Sequence, residues 1–413
     1  MSTNVFFALP ETLHRLHEGP LGAHIDAFAT RLQEQGFSPE RARDKIRVIA
    51  DFSGWLHRHG LGADDIDTRR LNRYLKDRGR DLHAGRGAAS TLHTLVCVLC
   101  ERGIVGKERS PEPADPRTRV ERDFEQYLSQ ERGLSPATLA NYVPFVHQLL
   151  LERFSNGPIQ LAKLSATDIT GFVRRHARDH SPGRRGPMVA ALRAFLRHLR
   201  HRGEITTDLA GCVPAVANWS HAALPKFLQP GQVAQVLKHC DRRCPPGRRD
   251  YAILLLLARL GLRAGEVVAL TLDDIDWTGG HLTVHGKAGR WAQLPLPAAV
   301  GEAIAAYLQH GRPPCAIRRL FIRHRAPRVG FANAAGISTL VKRALARAGV
   351  DSPRTGAHLF RHTLATEMLR RGASLTEIGA LLRHQHPSTT TIYAKVDLPA
   401  LRRLAQAWPG GGR

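Results

Sequence analysis

This sequence predicts a mainly α fold: two tandem helical modules, then an α-rich domain that carries one small antiparallel sheet. Three observations carry that prediction. Two stretches in the first half repeat one another, apolar residues recur at helical spacing through most of the chain, and alternation around a glycine-rich turn marks one hairpin near residue 287. With 413 residues and 43% hydrophobic content, the chain can bury several cores.

The repeat comes first in the chain. Residues 26–56, DAFATRLQEQGFSPERARDKIRVIADFSGWL, align with residues 123–153, DFEQYLSQERGLSPATLANYVPFVHQLLLER, on Gly36-Phe37-Ser38-Pro39 and Gly133-Leu134-Ser135-Pro136. In each, a helix breaks at Gly-x-Ser-Pro and a second begins. Serine supplies an N-cap acceptor, and proline occupies the first helical position, where its missing N–H costs nothing. The likeness continues downstream, where DDIDTRRLNRYLKDRG answers ATDITGFVRRHARDH and TLHTLVCVLCERGIV answers ALRAFLRHLRHRGEI. The expected boundaries are a first module over 1–110, a Pro- and charge-rich linker over 111–117, a second module over 118–215, a connector over 216–225, and the last domain over 226–413.

Charge narrows the partner. Sixty Lys+Arg against 36 Asp+Glu leave a formal net charge of +24, spread along the chain rather than held in a tail. Folded surfaces with that excess favour nucleic acid over acidic metabolites. In the second module the basic residues concentrate in VRRHARDHSPGRRGPMVAALRAFLRHLRHRG, and Arg174, Arg175, Arg184, Arg185, Arg193 and Arg197 are the candidate phosphate contacts. The first module, by its likeness to the second, is expected to touch DNA or a neighbouring subunit.

Other classes are disfavoured. The longest strongly apolar run, Tyr251 to Leu257, is too short for a bilayer, which needs about 20 residues. MSTNVFFALPETLHRL lacks a basic start followed by a long apolar stretch, so no secretory leader is expected and the cytoplasm is the expected location. Six cysteines make no disulfide framework. His239, Cys240 and Cys244 in KHCDRRC are suggestive of a metal, yet no second Cys/His pair accompanies them, so no metal site is predicted.

The last domain opens with LQPGQVAQVLKHC, a helix after a Pro-Gly start. RRDYAILLLLARLG follows as a buried helix stopped by Gly261. HLTVHGKAGRWAQLPLP then reads as a hairpin with Lys287 at its tip. Arg263 follows the helix-ending glycine, and Glu266 lies early in the next helix. His358, Arg361 and His362 fall on one helix, with His358 and Arg361 three apart on a shared face. Ser374-Leu375-Thr376-Glu377 has capping-box spacing, which starts a helix ending near Arg383 and delivers His384. Ser388 is expected to cap a further short helix that holds Tyr393.

Taken singly, each of these residues has a bland reading: a helix cap, a turn lysine, a satisfied histidine, a core tyrosine. Their order and spacing change the balance. Arg263 in GLRAGE, Lys287 in a hairpin, His358-x-x-Arg361 in HLFRHTLAT, His384, and Tyr393 nine residues on resemble the tyrosine recombinase (phage integrase) family. The likeness covers roughly 226–400, and 118–215 looks like that family's SAM-like core-binding domain. The ending KVDLPALRRLAQAWPG is similar to the subset found in mobile elements. Arg383 departs from the pattern: the family commonly has glycine there, and arginine brings bulk to the helix end and positive charge beside the phosphate.

The resemblance implies a site-specific DNA recombinase or integrase working without metal or ATP through a 3′-phosphotyrosyl intermediate and a Holliday junction. Tyr393 would attack phosphorus, Lys287 protonate the leaving 5′ oxygen, His358 handle the tyrosine proton and His384 bond the phosphate. Glu266 would orient a neighbour. Arg263 and Arg361 offer forked donors to the nonbridging oxygens, where transition-state charge develops. The implied partners are double-stranded recombination sites and a homotetramer on DNA, with related recombinases as further candidates; no cofactor and no membrane is implied. A type IB topoisomerase-like nicking and resealing enzyme uses the same groups and is the alternative, and a DNA-binding protein that has lost catalysis is the third reading.

Overall fold

The computed structural model describes residues 2–78, 87–105, 115–155, 157–216, 224–286, 289–352, 354–396 and 401–402. Residues Met1–Lys107 and Leu224–Arg413 make one compact unit and Glu108–Ala223 a second.

The first module comprises α1 (Pro10–Leu16), α2 (Gly22–Glu34), α3 (Pro39–Arg58), α4 (Thr68–Arg78) and α5 (Ala88–Glu101). Its core gathers Ile25, Phe28, Leu32, Ile46, Ile49, Phe52, Leu56, Leu95 and Leu99. The second unit has α6 (Pro116–Gln126), which runs on through a π turn, α7 (Pro136–Phe154), α8 (Ala166–Asp179) and α9 (Pro182–His201) around Phe124, Phe145, Phe172 and Phe195. The repeat is visible in the backbone. Gly36 and Gly133 both take positive φ, at 70° and 57°. Ser38 and Ser135 then cap α3 and α7 at near-identical angles, φ/ψ −64°/151° and −67°/151°. Only a residue free of Cβ strain turns the chain there at no cost, so the motif fixes the hairpin in both copies.

The C-terminal domain holds α10 (Pro230–Lys238), α11 (Pro245–Arg259), α12 (Ala264–Ala269), β1 (Ile275–Asp276), β2 (His281–His285), β3 (Trp291–Pro295), α13 (Ala298–His310), α14 (Ala334–Arg347), α15 (His358–Arg370), α16 (Leu375–Leu382) and α17 (Pro387–Thr390). Helix α11 is the centre of its core: residues 252–257 are all buried, with α13 and α15 packed against them. Each such leucine contributes roughly 1.5–3 kcal/mol of transfer free energy. The three strands pair antiparallel in chain order, placing Leu282 opposite Leu294 and His285 opposite Trp291. The two-residue strand β1 was not anticipated from sequence.

Within the first unit, the Gly-x-Ser-Pro turn of the first module rests on the C-terminal domain. The Arg328 N–H donates to the Gln35 carbonyl at 2.8 Å, and the Arg328 side chain lies where a Cβ on Gly36 would come within 2.4 Å. Among the described residues no helix is long and apolar enough to cross a membrane.

Candidate active site

The site is built around the C-terminal end of α16. Gly261, at φ +56°, ends α11 so tightly that a Cβ there would meet Leu382 at 2.7 Å and Leu364 at 3.1 Å. Glycine therefore lets the α11–α12 turn lie directly on α15 and α16. That contact brings Arg263, on the turn, and Arg361, on α15, to the same place.

A helix end leaves its last carbonyls without intrahelical donors, and at α16 arginines supply them. Arg383 Nη1 donates to the Leu381 carbonyl at 3.0 Å, Arg361 Nη2 to that of Leu382, and Arg263 Nη2 to that of Arg383 at 3.4 Å. Arg361 is 3% exposed, and its other Nη donates to the Gly261 carbonyl. Burial, with Arg263 and Arg383 beside it, lowers its pKa to about 10, so it keeps its charge at neutral pH.

Glu266 balances this positive cluster. Its buried carboxylate accepts from the Arg263 N–H at 2.8 Å, from Arg263 Nη1 at 2.7 Å and from Arg383 Nη2 at 2.9 Å. Although burial works to raise it, those hydrogen bonds and the arginine charges hold its pKa below the ordinary carboxylate value. Arg383 itself is left-handed, at φ 54°, a conformation that costs a non-glycine residue about 1–2 kcal/mol. Its Nε is buried with no hydrogen-bond partner among the described residues.

Four rings line up beside the guanidinium groups. His358, the first residue of α15, is exposed, and its ring lies 6.4 Å from that of His362. His362 Nδ1 is 3.0 Å from the Tyr393 hydroxyl. On the other side His384 stacks on Tyr393, centroids 6.4 Å apart and planes within 5°. His384 Nδ1 is held by the Thr390 hydroxyl at 2.7 Å. Burial, then neighbouring positive charge, lowers the pKa values of His362 and His384 to about 4, so both are neutral at pH 7; partial desolvation of its ring, then the charges of Arg361 and Arg263, also lowers that of His358. The Tyr393 phenol is pushed up to about 12 by burial, against the pull of Arg361 and Arg263.

Tyr393 is only 1% exposed and packs with Ala365, Ile378 and Leu382 in a small apolar cluster. It lies on a 3-10 turn, Thr391–Val396, after α17. Ser388 is inside α17 and does not cap it: His386 is the N-cap residue, and Pro387 at the first position sets the start.

Lys287 lies outside the described residues. The root of its hairpin is fixed by His285, whose Nε2 is 2.8 Å from Asp274, a buried carboxylate bonded by the Thr271 N–H and hydroxyl. In the second unit, Arg174, Arg184 and Arg197 are exposed, and Arg184 stacks over Phe145 at 5.3 Å. Arg175 pairs with Glu152 at 2.9 Å. Arg185 and Arg193 instead donate to the carbonyls of His180 and Val213 and are half-buried. His239 and Cys244 bond carbonyls of Gln235 and Asp241, and among the described residues no group of three His, Cys, Asp or Glu side chains is placed to hold a metal ion. Thr390 joins the cluster without having been a sequence candidate, and so do His362 and Arg383, which the sequence reading noted but gave no catalytic role. The i, i+4 spacing of His358 and His362 was the available signal for His362.

The Phage integrase family model matches residues 226–398, and the phage integrase N-terminal SAM-like domain model matches residues 122–203. A Sinorhizobium fredii protein named "Putative integrase/recombinase" is 46% identical over 402 residues, 96% of this chain and 97% of the relative. Tyrosine recombinase XerD of Lacticaseibacillus casei is 31% identical over 67% of this chain and 93% of its own length. Among solved structures, XerH bound to a palindromic difH substrate has a TM-score of 0.57 at 17% identity, covering 82% of this chain and 94% of that one. A lambda integrase (75-356) dimer on a COC′ core site has a TM-score of 0.52 at 15% identity, covering 71% and 98%. These two share the fold.

Proposed function

Because the chain belongs to the phage integrase family of site-specific recombinases, we propose that it cuts and rejoins duplex DNA through a covalent bond between Tyr393 and a 3′ phosphate. The observation that carries this reading is the assembly of Arg263, Arg361 and three imidazoles around one phenol at the end of α16.

A phosphodiester repels nucleophiles, and its 5′ oxygen leaves poorly unless protonated. Arg263 and Arg361 carry forked donors that can pass from helix carbonyls to nonbridging phosphate oxygens, whose charge makes them the better acceptors. The phenol oxygen forms the new bond to phosphorus while the bond to the 5′ oxygen breaks. The phenol proton goes to an imidazole, and neutral His362, already at hydrogen-bond distance, is better sited to take it than His358. Lys287, from its hairpin, gives a proton to the departing oxygen. His384 donates to the phosphate and His358 closes the exposed side. The phosphotyrosyl ester keeps the bond energy, so a 5′ hydroxyl of another strand can reverse the step without ATP. Strand exchange would pass through a Holliday junction in a homotetramer on two recombination sites, the exposed arginines of the second unit holding the duplex.

A nicked suicide duplex tests this. The wild type should accumulate a covalent protein–DNA adduct and Tyr393→Phe should form none. Binding without an adduct, or an adduct that survives the substitution, refutes the assignment. Relaxation of supercoils by a monomer without strand exchange would favour the topoisomerase alternative.

A further inference from the structure

Arg383 occupies a position that local physics reserves for glycine. The residue after α16 is left-handed, a conformation that penalises any Cβ, and the buried Nε has no acceptor among the described residues. Two such costs at one side chain point to a role rather than to packing. What Arg383 does with its other two nitrogens is well defined. Nη2 reaches Glu266 at 2.9 Å and Nη1 turns back to the Leu381 carbonyl at 3.0 Å, with the side chain 12% exposed. It thereby ties the end of α16 to the start of α12, and the next residue is His384.

Glu266 shows why that tie matters. At rest Arg263 gives this carboxylate both its backbone N–H and Nη1. When a phosphate draws the Arg263 fork away, the buried carboxylate loses a charged partner, while Arg383 keeps its direct ion pair to it. Given the transesterification proposed above, on which this inference rests, we propose that Arg383 is a positioning residue. It holds Glu266 and the α16 end in place, so that Arg263 and Arg361 can hand their donors to the phosphate while His384 keeps its setting. Glycine at this position would form the same backbone turn and remove the Arg383 ion pair from Glu266.

The test uses the full chain on the nicked suicide duplex at saturating DNA, with wild type, Arg383→Gly, Arg383→Asn and Arg383→Lys. Wild type must first form the adduct; if it does not, the functional reading fails and this one with it. Arg383→Gly should fold, since glycine suits the backbone, and bind the duplex with unchanged affinity. Its adduct should form about tenfold or more slowly, the scale of a small misplacement of catalytic groups. Arg383→Asn, whose short side chain tolerates the left-handed region, gives the same reading should the glycine variant not fold. Lysine, which reaches Glu266 but lacks the second fork nitrogen, should recover part of the rate. NMR of His384 adds a readout of the charge beside it. Its imidazole should titrate at higher pH in Arg383→Gly, because Arg383 is one of the cations holding it neutral. Adduct formation at the wild-type rate by a folded Arg383→Gly overturns the proposal. So does weaker binding with a shallower salt dependence, which would make Arg383 a direct phosphate contact.

Discussion

The proposed in-line attack by Tyr393 would require the Thr391–Val396 turn to lift off Ala365, Ile378 and Leu382, since the phenol is 1% exposed. An aromatic side chain buries about 150–250 Å². At roughly 25 cal/mol per Å² that is about 4–6 kcal/mol, an upper limit because the lifted turn keeps some cover. Taking about 4 kcal/mol, the uncovered state of the free protein is populated on the order of one molecule in 10³. Ile378→Ala should raise that fraction, because the cavity it leaves weakens the closed state. Such substitutions cost about 2–5 kcal/mol, and a third of that falling on the phenol contacts is worth about tenfold. Nitration followed by peptide mapping reads the exposure. Tyr393 of the free wild type should react about 10³ times more slowly than half-buried Tyr142, Ile378→Ala should narrow the gap, and duplex DNA should narrow it further. Equal rates for Tyr393 and Tyr142 without DNA, or no response to Ile378→Ala, would refute the argument.

Acid should destabilise the first unit. His324, His362 and His384 have pKa values lowered to about 4, while the unfolded chain titrates near 6.5, so the unfolded state binds more protons between those values. Their contribution is complete above about pH 6.5 and is lost as pH falls toward 4; thermal melts that do not fall between pH 7 and pH 5 would contradict this. Glu266→Gln should cost about 3 kcal/mol in denaturant unfolding, since three bonds to a buried carboxylate become neutral or are lost, and a change under about 1 kcal/mol would refute the bridging role. Arg174→Ala and Arg197→Ala should weaken duplex binding alike for all sequences and each flatten the salt dependence by about one unit. Arg193→Ala should instead lower the melting temperature of residues 108–223, because its Nη2 donates to the Val213 carbonyl; the opposite pattern would reverse these roles.

Local rules carried far along this chain. Ser38-Pro39 and Ser135-Pro136 cap their helices as the residues demand, Ser374 and Glu377 form the capping box, and Gly261 ends α11 with positive φ. Each of these is decided within a few residues, where backbone sterics and one hydrogen bond settle the outcome. What escaped the sequence depends on distant partners. Arg383 could be flagged as odd, but its ion pair to Glu266, 117 residues earlier, could not be read from the local sequence. Which of His358 and His362 meets the phenol depends on where the turn after α17 docks. The burial of Tyr393 depends on Ile378 and Leu382 closing over it. The sequence reading took Tyr393 as the nucleophile over a core aromatic; in the fold it is buried in a core cluster with His362 and His384 beside it.

The C-terminus of α16 explains how one short helix can organise the whole cluster. Its last carbonyls carry partial negative charge, from the helix dipole and from lacking intrahelical donors, and three guanidinium groups converge on them. These carbonyls stand in the relation to Arg263 and Arg361 that phosphate oxygens would take on the proposed reaction. The donors are therefore already desolvated and aimed before DNA arrives, and little reorganisation is left for the chemical step. The exchange is biased one way, because an ionised phosphate is a stronger acceptor than a neutral carbonyl, while Glu266 prevents the three like charges from driving the helix end apart. A glycine after α16 would have given an easier turn and one guanidinium fewer. The chain accepts a strained backbone at Arg383 and gains a third hydrogen bond to the carboxylate that holds Arg263.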